Sequence, residues 1–463
     1  MKTPLIMKFG GTSVEDEAAF ARVATIIETN KDRAPVIVVS AMSKLTDALI
    51  ESFHLASDGA VEEATLKLEP HFARHAAVAN ALLPSEEAQM IARRLEDAKA
   101  DLKQILQRAA RREALLPALQ DEVASYGERL SSMLLTAVLR ARGLPAINID
   151  ARQCIITDET FGCATPLMSE TEASTRNHLL PLIERGEIPV LGGFIASSTA
   201  GRTTTLGRGG SDYSAAIIGA ALRASEVQIW TDVDGVMTAD PRLVPKARTI
   251  PRLSYAEAAE LAYFGAKVLH PKTIEPAVAR FIPVRVCNSR RPTEEGTLIC
   301  AESSTSVSRI KAIAHKTGIT VIQVTSARML GAYGFLRALF EVFDRYRTVV
   351  DVVTTSEVSV SLTLDDTRAL DSIVRELERL GTVQVEPRRA IICVVGEGLR
   401  TTPGIAARVF SAMRDINISL ISQGASSINL TFVIDQERVA EAVARLHRAI
   451  FETEDEKQAA QQG

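Results

Sequence analysis

Four stretches of this sequence place charged side chains beside glycines or apolar runs in a pattern that chemistry can use. In "KFGGTSV", Lys8 closes an apolar run, and Gly10, Gly11, Thr12 and Ser13 form a turn ahead of a helical pattern. Backbone N–H groups at a helix start attract anions, and a neighbouring ammonium suits a phosphate that gains charge during transfer. In "TTTLGRGGSDYSAA", Gly207, Gly209 and Gly210 lie around Arg208 and ahead of Ser211 and Asp212, in front of an apolar helix. These glycines read either as a tight turn or as a phosphate cradle. Arg208 offers a fork for a carboxylate or a phosphate, and Asp212 can order either a magnesium ion or a lysine.

In "WTDVDGVMTADPR", Thr231 and Asp232 follow a strand, and the loop either holds a nucleotide's base and ribose or is a surface turn. "FGAKVLHP" carries Lys267, which by itself reads as a solvated helix lysine, and His270, which lacks an acidic or nucleophilic neighbour and reads as helix-end packing. Neither G-x-x-x-x-G-K-[ST] nor a complete G-x-G-x-x-G occurs, so a P-loop is excluded and the dinucleotide fingerprint is missing.

The elements that must position these residues follow from periodicity. "PLIMKFGG" and "PVIVVSAM" are strand-like, and "EDEAAFARVATIIETN" between them is an amphipathic helix, which makes a βαβ unit. From about Glu62 to Arg142 the apolar spacing of three and four predicts several helices, as an insertion or lid. Strands resume at "AINID", "IPVLGGFIA", "VQIWTDVDG" and "IPVRVCN". A polar, small-residue linker falls at 301–308. Beyond it the chain repeats itself without a gap: Gly334, Phe340, Ser356 and Asp365 match Gly404, Phe410, Ser426 and Asp435. Each copy reads glycine, helix, strand, turn, strand, either a ligand-binding module present twice or a duplicated dimerisation wedge.

Composition narrows the class. A net charge of -4 gives no footprint for nucleic acid, and no apolar run is long enough for a membrane span. The five cysteines form no C-x-x-C pair and read as reduced thiols. The N-terminal stretch is too short and too interrupted for a signal peptide, so a cytoplasmic protein is expected.

In their order along the chain, "KFGGTSV", "TTTLGRGGSDYSA", "WTDVDGV", "ADPR" and "FGAKVLHP" resemble the amino acid kinase family, and within it the branch that phosphorylates aspartate. "SEVSVSLTLD" and "ASSINLTFVI" resemble that branch's paired ACT-type regulatory modules. The resemblance implies an α/β three-layer sandwich with a mostly parallel central sheet, followed by two α+β ferredoxin-like ACT modules. It places a catalytic domain at 1–300, a linker at 301–308, ACT modules at 309–385 and 386–453, and a polar tail at 454–463.

It also implies roles. Lys8 and Lys267 stabilise the transferring phosphoryl group of ATP, Gly10 and Gly11 donate N–H groups, and Asp212 orients the lysines and the phosphates that carry Mg2+. Thr231, Asp232, Met237 and Arg242 belong to the nucleotide site. L-Aspartate is received by Glu122 at its ammonium, Arg208 at a carboxylate, and Ser40, Thr46 and Ser211 around it. An effector, implied to be L-lysine, is lined by Met329, Gly334, Asp351, Ser356 and Glu357. The chain is expected to be monofunctional, without a homoserine dehydrogenase domain, and to self-associate through its ACT modules as a homodimer or homotetramer. Two departures stand out: Met237 replaces the family's usual tyrosine, and "RMLGAYGFL" is less polar than in lysine-sensitive members. Other readings are a sister kinase for another acid and a non-catalytic amino acid sensor; the presence of Lys8, Arg208, Asp212 and Lys267 argues against the sensor.

Overall fold

All five residues of β1 (Leu5–Phe9) and all five of β2 (Pro35–Val39) are buried, so neither strand has a solvent face. That pattern requires a parallel sheet with helices on both sides. The computed structural model, which describes residues 3–113, 115–265, 269–301, 309–331 and 333–452, has this arrangement. Helix α1 (Glu17–Thr29) joins β1 to β2 and is capped by the Asp16 carboxylate, which accepts from Ala19 N–H at 2.8 Å. The predicted helical insertion is present as α2 (Leu45–Ser57), α3 (Val61–Leu82), α4 (Ser85–Ala110), α5 (Leu116–Ala124) and α6 (Tyr126–Ala141).

The chain then runs through β3 (Ala146–Ile149), β4 (Ile156–Thr157), α7 (Met168–Glu184), β5 (Ile188–Gly192), β6 (Ile195–Ser198) and β7 (Thr203–Thr205). Helix α8 (Gly210–Leu222), β8 (Glu226–Thr231), β9 (Arg252–Ser254), α9 (Tyr255–Tyr263), α10 (Pro271–Val278), β10 (Val284–Asn288) and β11 (Thr297–Cys300) follow. The main sheet is ordered β3-β5-β2-β1-β8-β10-β11-β9 and is parallel except where β10 meets β11. Strand β1 lies between β2 and β8, and Lys8 sits opposite both Val38 and Ile229. The strand ends carrying Lys8, Ser40 and Thr231 therefore open at one edge, where open α/β sheets bind ligands.

The C-terminal unit holds β12 (Ile310–Thr325), α11 (Phe335–Arg345), β13 (Val353–Thr355), β14 (Ser359–Leu364), α12 (Leu370–Leu377), β15 (Thr382–Gly396), α13 (Ile405–Ala412), β16 (Leu420–Gln423), β17 (Asn429–Asp435) and α14 (Val439–His447). Its sheet is ordered β13-β14-β12-β15-β17-β16 and is antiparallel throughout. The repeat is visible in the backbone: Gly334 at φ +83 and Gly404 at φ +81 each precede a helix, in a left-handed conformation that favours glycine. The long strands β12 and β15 serve both copies. Ile310 and Ile313 of β12 pack in the second core with Phe432 and Leu446, while Ile322 and Val324 pack in the first with Leu339 and Leu362. Residues 237–250 and 256–265 cluster with this unit, and Ala239 and Val244 enter the second core. Among the described residues no helix is long and apolar enough to cross a membrane. The five cysteines are free, and all but Cys163 are buried.

One buried histidine gives the helical layer a pH signature. His75 on α3 is fully buried; its Nδ1 lies 2.8 Å from the His71 carbonyl, to which it donates. Burial lowers its pKa to about 4 from the ordinary 6.5. Between those values the unfolded chain binds more protons than the native one, so this group's contribution is full above pH 6.5 and is lost as pH falls toward 4. His75→Gln should flatten the acid limb of a melting-temperature profile relative to the parent; parallel profiles would remove His75 as its source.

Candidate active site

Lys8, the last residue but one of β1, has its side chain almost buried, and its Nζ lies 2.6 Å from Oδ1 of Asp212 in the first turn of α8. An ammonium taken out of water needs such a partner, because an unpaired buried charge is strongly destabilising. The turn after Lys8 is held by a bond from Gly10 N–H to the Trp230 carbonyl at 3.0 Å. At Gly11 a Cβ would come within 2.9 Å of the Ala41 carbonyl, so only glycine lets the two loops approach. Across the cleft, Gly207 and Gly209 both lie at φ +75 and deliver the chain to the N-terminus of α8. Gly207 and Gly209 therefore make a left-handed turn, and that turn faces the cleft.

The cleft has a volume of about 930 Å³. Of the expected site residues it gathers Lys8, Gly10, Gly11, Ser40, Thr46, Arg208, Ser211, Asp212, Thr231 and Asp232. Met237 and Arg242 belong to the other unit, where Met237 Sδ accepts from Thr249 Oγ1 and Arg242 forks onto Asp240. Lys267 lies outside the described residues, as do all but the first residue of the linker at 301–308 and the whole tail at 454–463.

Glu122 is not among the residues lining the cleft. Its carboxylate is 36% exposed and approaches Arg108 at 3.7 Å. The acid that does line the cleft is Glu128, on α6, 3% exposed, with Oε2 lacking any hydrogen-bond partner. Burial raises its pKa to about 8, against the opposing pull of backbone N–H groups and of Lys8. Its place is fixed by Gly192, where a Cβ would meet the Glu128 Cβ at 2.9 Å. The signal was present in the pattern: on α6 the residues one turn further on, Ser131 and Ser132, are small, uncharged and buried, so Glu128 lies on the inward face.

Asp121 was also passed over. It accepts from Gly162 N–H at 2.9 Å and from Thr205 N–H and Oγ1 at 2.9 Å each, so it ties the end of β7 to the Gly162 turn rather than reaching for a ligand. No histidine or cysteine is among the described residues lining the cleft. Among the groups that line it are the amines of Lys8 and Lys44, the Arg208 guanidinium, backbone N–H groups and the buried acid Glu128 with a free oxygen.

The expected effector residues all lie in the C-terminal unit. Asp351 is 2% exposed and accepts from Tyr263 OH at 2.6 Å and from Lys316 Nζ at 3.1 Å; Lys316 also reaches Asp365 at 2.8 Å. Ser356 and Glu357 are exposed in the turn between β13 and β14. Met329 packs against the first core, and Gly334 starts α11.

Comparison with known proteins sets this geometry in context. Residues 3–288 match the model of the amino acid kinase family, and residues 392–450 match that of the ACT domain. The lysine-sensitive aspartokinase 3 of Escherichia coli is 39% identical over 98% of this chain and 100% of its own. The chloroplastic aspartokinase 2 of Arabidopsis thaliana is 38% identical over 97% of this chain and 84% of its own. Among solved structures, E. coli aspartokinase III in complex with aspartate and ADP matches with a TM-score of 0.81 at 38% identity, covering 96% of this chain and 99% of that one. The same enzyme with lysine and aspartate matches with a TM-score of 0.80 at 38% identity and the same coverage.

Glu128 lends itself to a two-part test. Its folded-state pKa lies above the ordinary 4.5, so the native protein holds a proton the unfolded chain has lost, and ligand-free stability falls as pH rises from 4.5 to 8. Glu128→Gln should remove that slope, while lowering kcat/KM for an ammonium-bearing substrate about a hundredfold. A variant with unchanged kcat/KM would show that the acid faces no substrate.

Proposed function

The chain belongs to the aspartokinases of the amino acid kinase family, and from that premise we infer how its cleft performs the reaction. It transfers the terminal phosphoryl group of ATP to the side-chain carboxylate of L-aspartate, giving 4-phospho-L-aspartate and ADP. A carboxylate is already ionised at neutral pH, so the oxygen attacks phosphorus without a general base. As the new O–P bond forms, the bond from phosphorus to the ADP oxygen breaks. Positioning and charge neutralisation are the remaining tasks, and the cleft's lining suits both.

Lys8 stabilises the charge that develops on the transferring group, and the Gly11 N–H contacts the phosphates, whereas the Gly10 N–H expected to do the same is bonded to the Trp230 carbonyl and holds the turn. Asp212 keeps Lys8 aimed through their 2.6 Å contact. Lys267 is the second amine, assigned from its motif alone. Arg208 grips a substrate carboxylate between Ser40, Thr46 and Ser211. The aspartate ammonium goes to Glu128 in place of Glu122: its buried free oxygen supports that role, whereas Glu122 is engaged near Arg108. Arrival of the ammonium favours the ionised form that burial opposes.

Thr231 and Asp232 take the ribose and base side of the nucleotide; Met237 and Arg242 are assigned to the nucleotide from their motif alone. Magnesium is assigned to the ATP phosphates, with Asp212 orienting the phosphates that bring it. Once bound, the ion neutralises phosphate charge.

We assign residues 1–300 to catalysis, 301–308 to the linker, 309–385 and 386–453 to the two ACT modules, and 454–463 to a tail. L-Lysine is the effector, bound by Met329, Gly334, Asp351, Ser356 and Glu357, with its amino groups toward the carboxylates. Asp351 already holds the Lys316 ammonium, which supports its affinity for amines. Exposed Leu330, Tyr333, Leu336 and Phe340 support self-association through the modules, as a homodimer or homotetramer. The protein is assigned to the cytoplasm.

The observation that carries this reading is the Lys8–Asp212 pair facing the glycine turns across one cleft. Aspartate, MgATP and hydroxylamine should yield aspartyl hydroxamate, and Lys8→Ala should lower kcat about a thousandfold with the fold retained. Full turnover by that variant would remove Lys8 from the mechanism. Asp351→Asn should raise the lysine concentration needed for half-inhibition at least tenfold at unchanged kcat. Unaltered inhibition would move the effector elsewhere.

A further inference from the structure

Helices α2, α3 and α4 carry little of the assigned chemistry, yet one side chain of α3 reaches a loop that lines the cleft. Arg74 donates from Nη2 to the backbone carbonyl of Ser43 at 2.6 Å. That carbonyl belongs to the peptide joining Ser43 to Lys44, and Lys44 stands at φ +69. A lysine in the left-handed region is strained, and such strain persists only where the surroundings over-determine it.

Four ties supply that constraint. Ser40 N–H donates to the Phe9 carbonyl at 3.0 Å, and Ser43 N–H donates to the Gly11 carbonyl at 3.2 Å. Met42 N–H donates to Ser131 Oγ at 3.1 Å. These three come from the elements that build the cleft itself; the fourth, from Arg74, comes from the helical layer. The guanidinium also lies within electrostatic reach of Glu15 and Asp16, which follow the turn containing Gly11. Ser40, Ser43, Lys44 and Thr46 all line the cleft.

We propose that Arg74 is a positioning residue, which holds the Ser43–Lys44 peptide and so sets the Ser40 to Thr46 lip in the shape that receives aspartate. This rests on the reading that Ser40 and Thr46 contact that substrate. Arg74 acts through the Ser43 carbonyl and touches no reacting atom. The helical layer is in this view a brace for substrate affinity.

The test is steady-state kinetics and thermal melting of the full-length chain carrying Arg74→Met, Arg74→Lys, Thr46→Ala and the Arg74→Met/Thr46→Ala pair. Methionine keeps the apolar stem without the donor. Arg74→Met should raise KM for aspartate about tenfold, leave KM for MgATP within about twofold, and be partly rescued by lysine. Because both side chains act on one lip, the Arg74→Met and Thr46→Ala effects on aspartate KM should be non-additive. Equal rises in both KM values, or strict additivity with Thr46→Ala, would overturn the proposal. If Thr46→Ala raises aspartate KM and Arg74→Met does not, the inference alone fails; if Thr46→Ala has no effect, the reading of the lip fails and takes the inference with it. Should Arg74→Met not fold, Arg74→Lys decides on the same KM split.

Discussion

The contact between Lys8 and Asp212 is the constraint around which the catalytic unit is arranged. It joins the end of a central strand to the first turn of a helix that starts two hundred residues later. Holding an ammonium there with little solvent requires a carboxylate at hydrogen-bonding distance, and holding that carboxylate requires α8 to begin where it does. The glycine turn at 207–210 lets the chain reach that start without a Cβ in the way; at Gly210 a Cβ would strike the Phe194 ring at 2.7 Å. Asp121 fixes the strand that leads into the turn. Each of these features is a condition for the next.

The C-terminal unit follows a different logic. Its two modules are joined by sharing strands: β12 and β15 run through both halves of one antiparallel sheet, and their residues divide between two cores. A disturbance along either strand is therefore felt in both modules, because packed cores do not deform continuously. At the edge of this sheet Asp351 accepts from both an ammonium and a tyrosine hydroxyl. An external amine competing for it meets an internal one already in place.

Some of the site was legible from residue types alone, and some was not. Lys8, Arg208 and Asp212 stood out because a charge beside glycines at a strand end has few structural uses. Glu128 did not, because an acid on a helix is usually solvated, and the resemblance pointed instead to Glu122, six residues earlier. What separates them is which face is buried, and α6 turns Glu128 inward while Glu122 remains near solvent beside Arg108. Lys44 and Arg74 were silent for a similar reason: a left-handed lysine and a guanidinium bonded to a distant carbonyl leave no trace in local spacing.

By itself the sequence determined the βαβ opening, the helical insertion, the strand order of motifs and the repeat whose glycines at 334 and 404 both proved to need positive φ. These are local properties, set by side-chain period and by backbone conformations open to few residue types. Only the tertiary structure decided which acid faces the cleft, that residues 237–250 pack with the C-terminal unit, and that β12 serves two cores. Those outcomes depend on contacts between residues far apart in the chain, where burial and close approach, not spacing, choose among side chains that look alike in sequence.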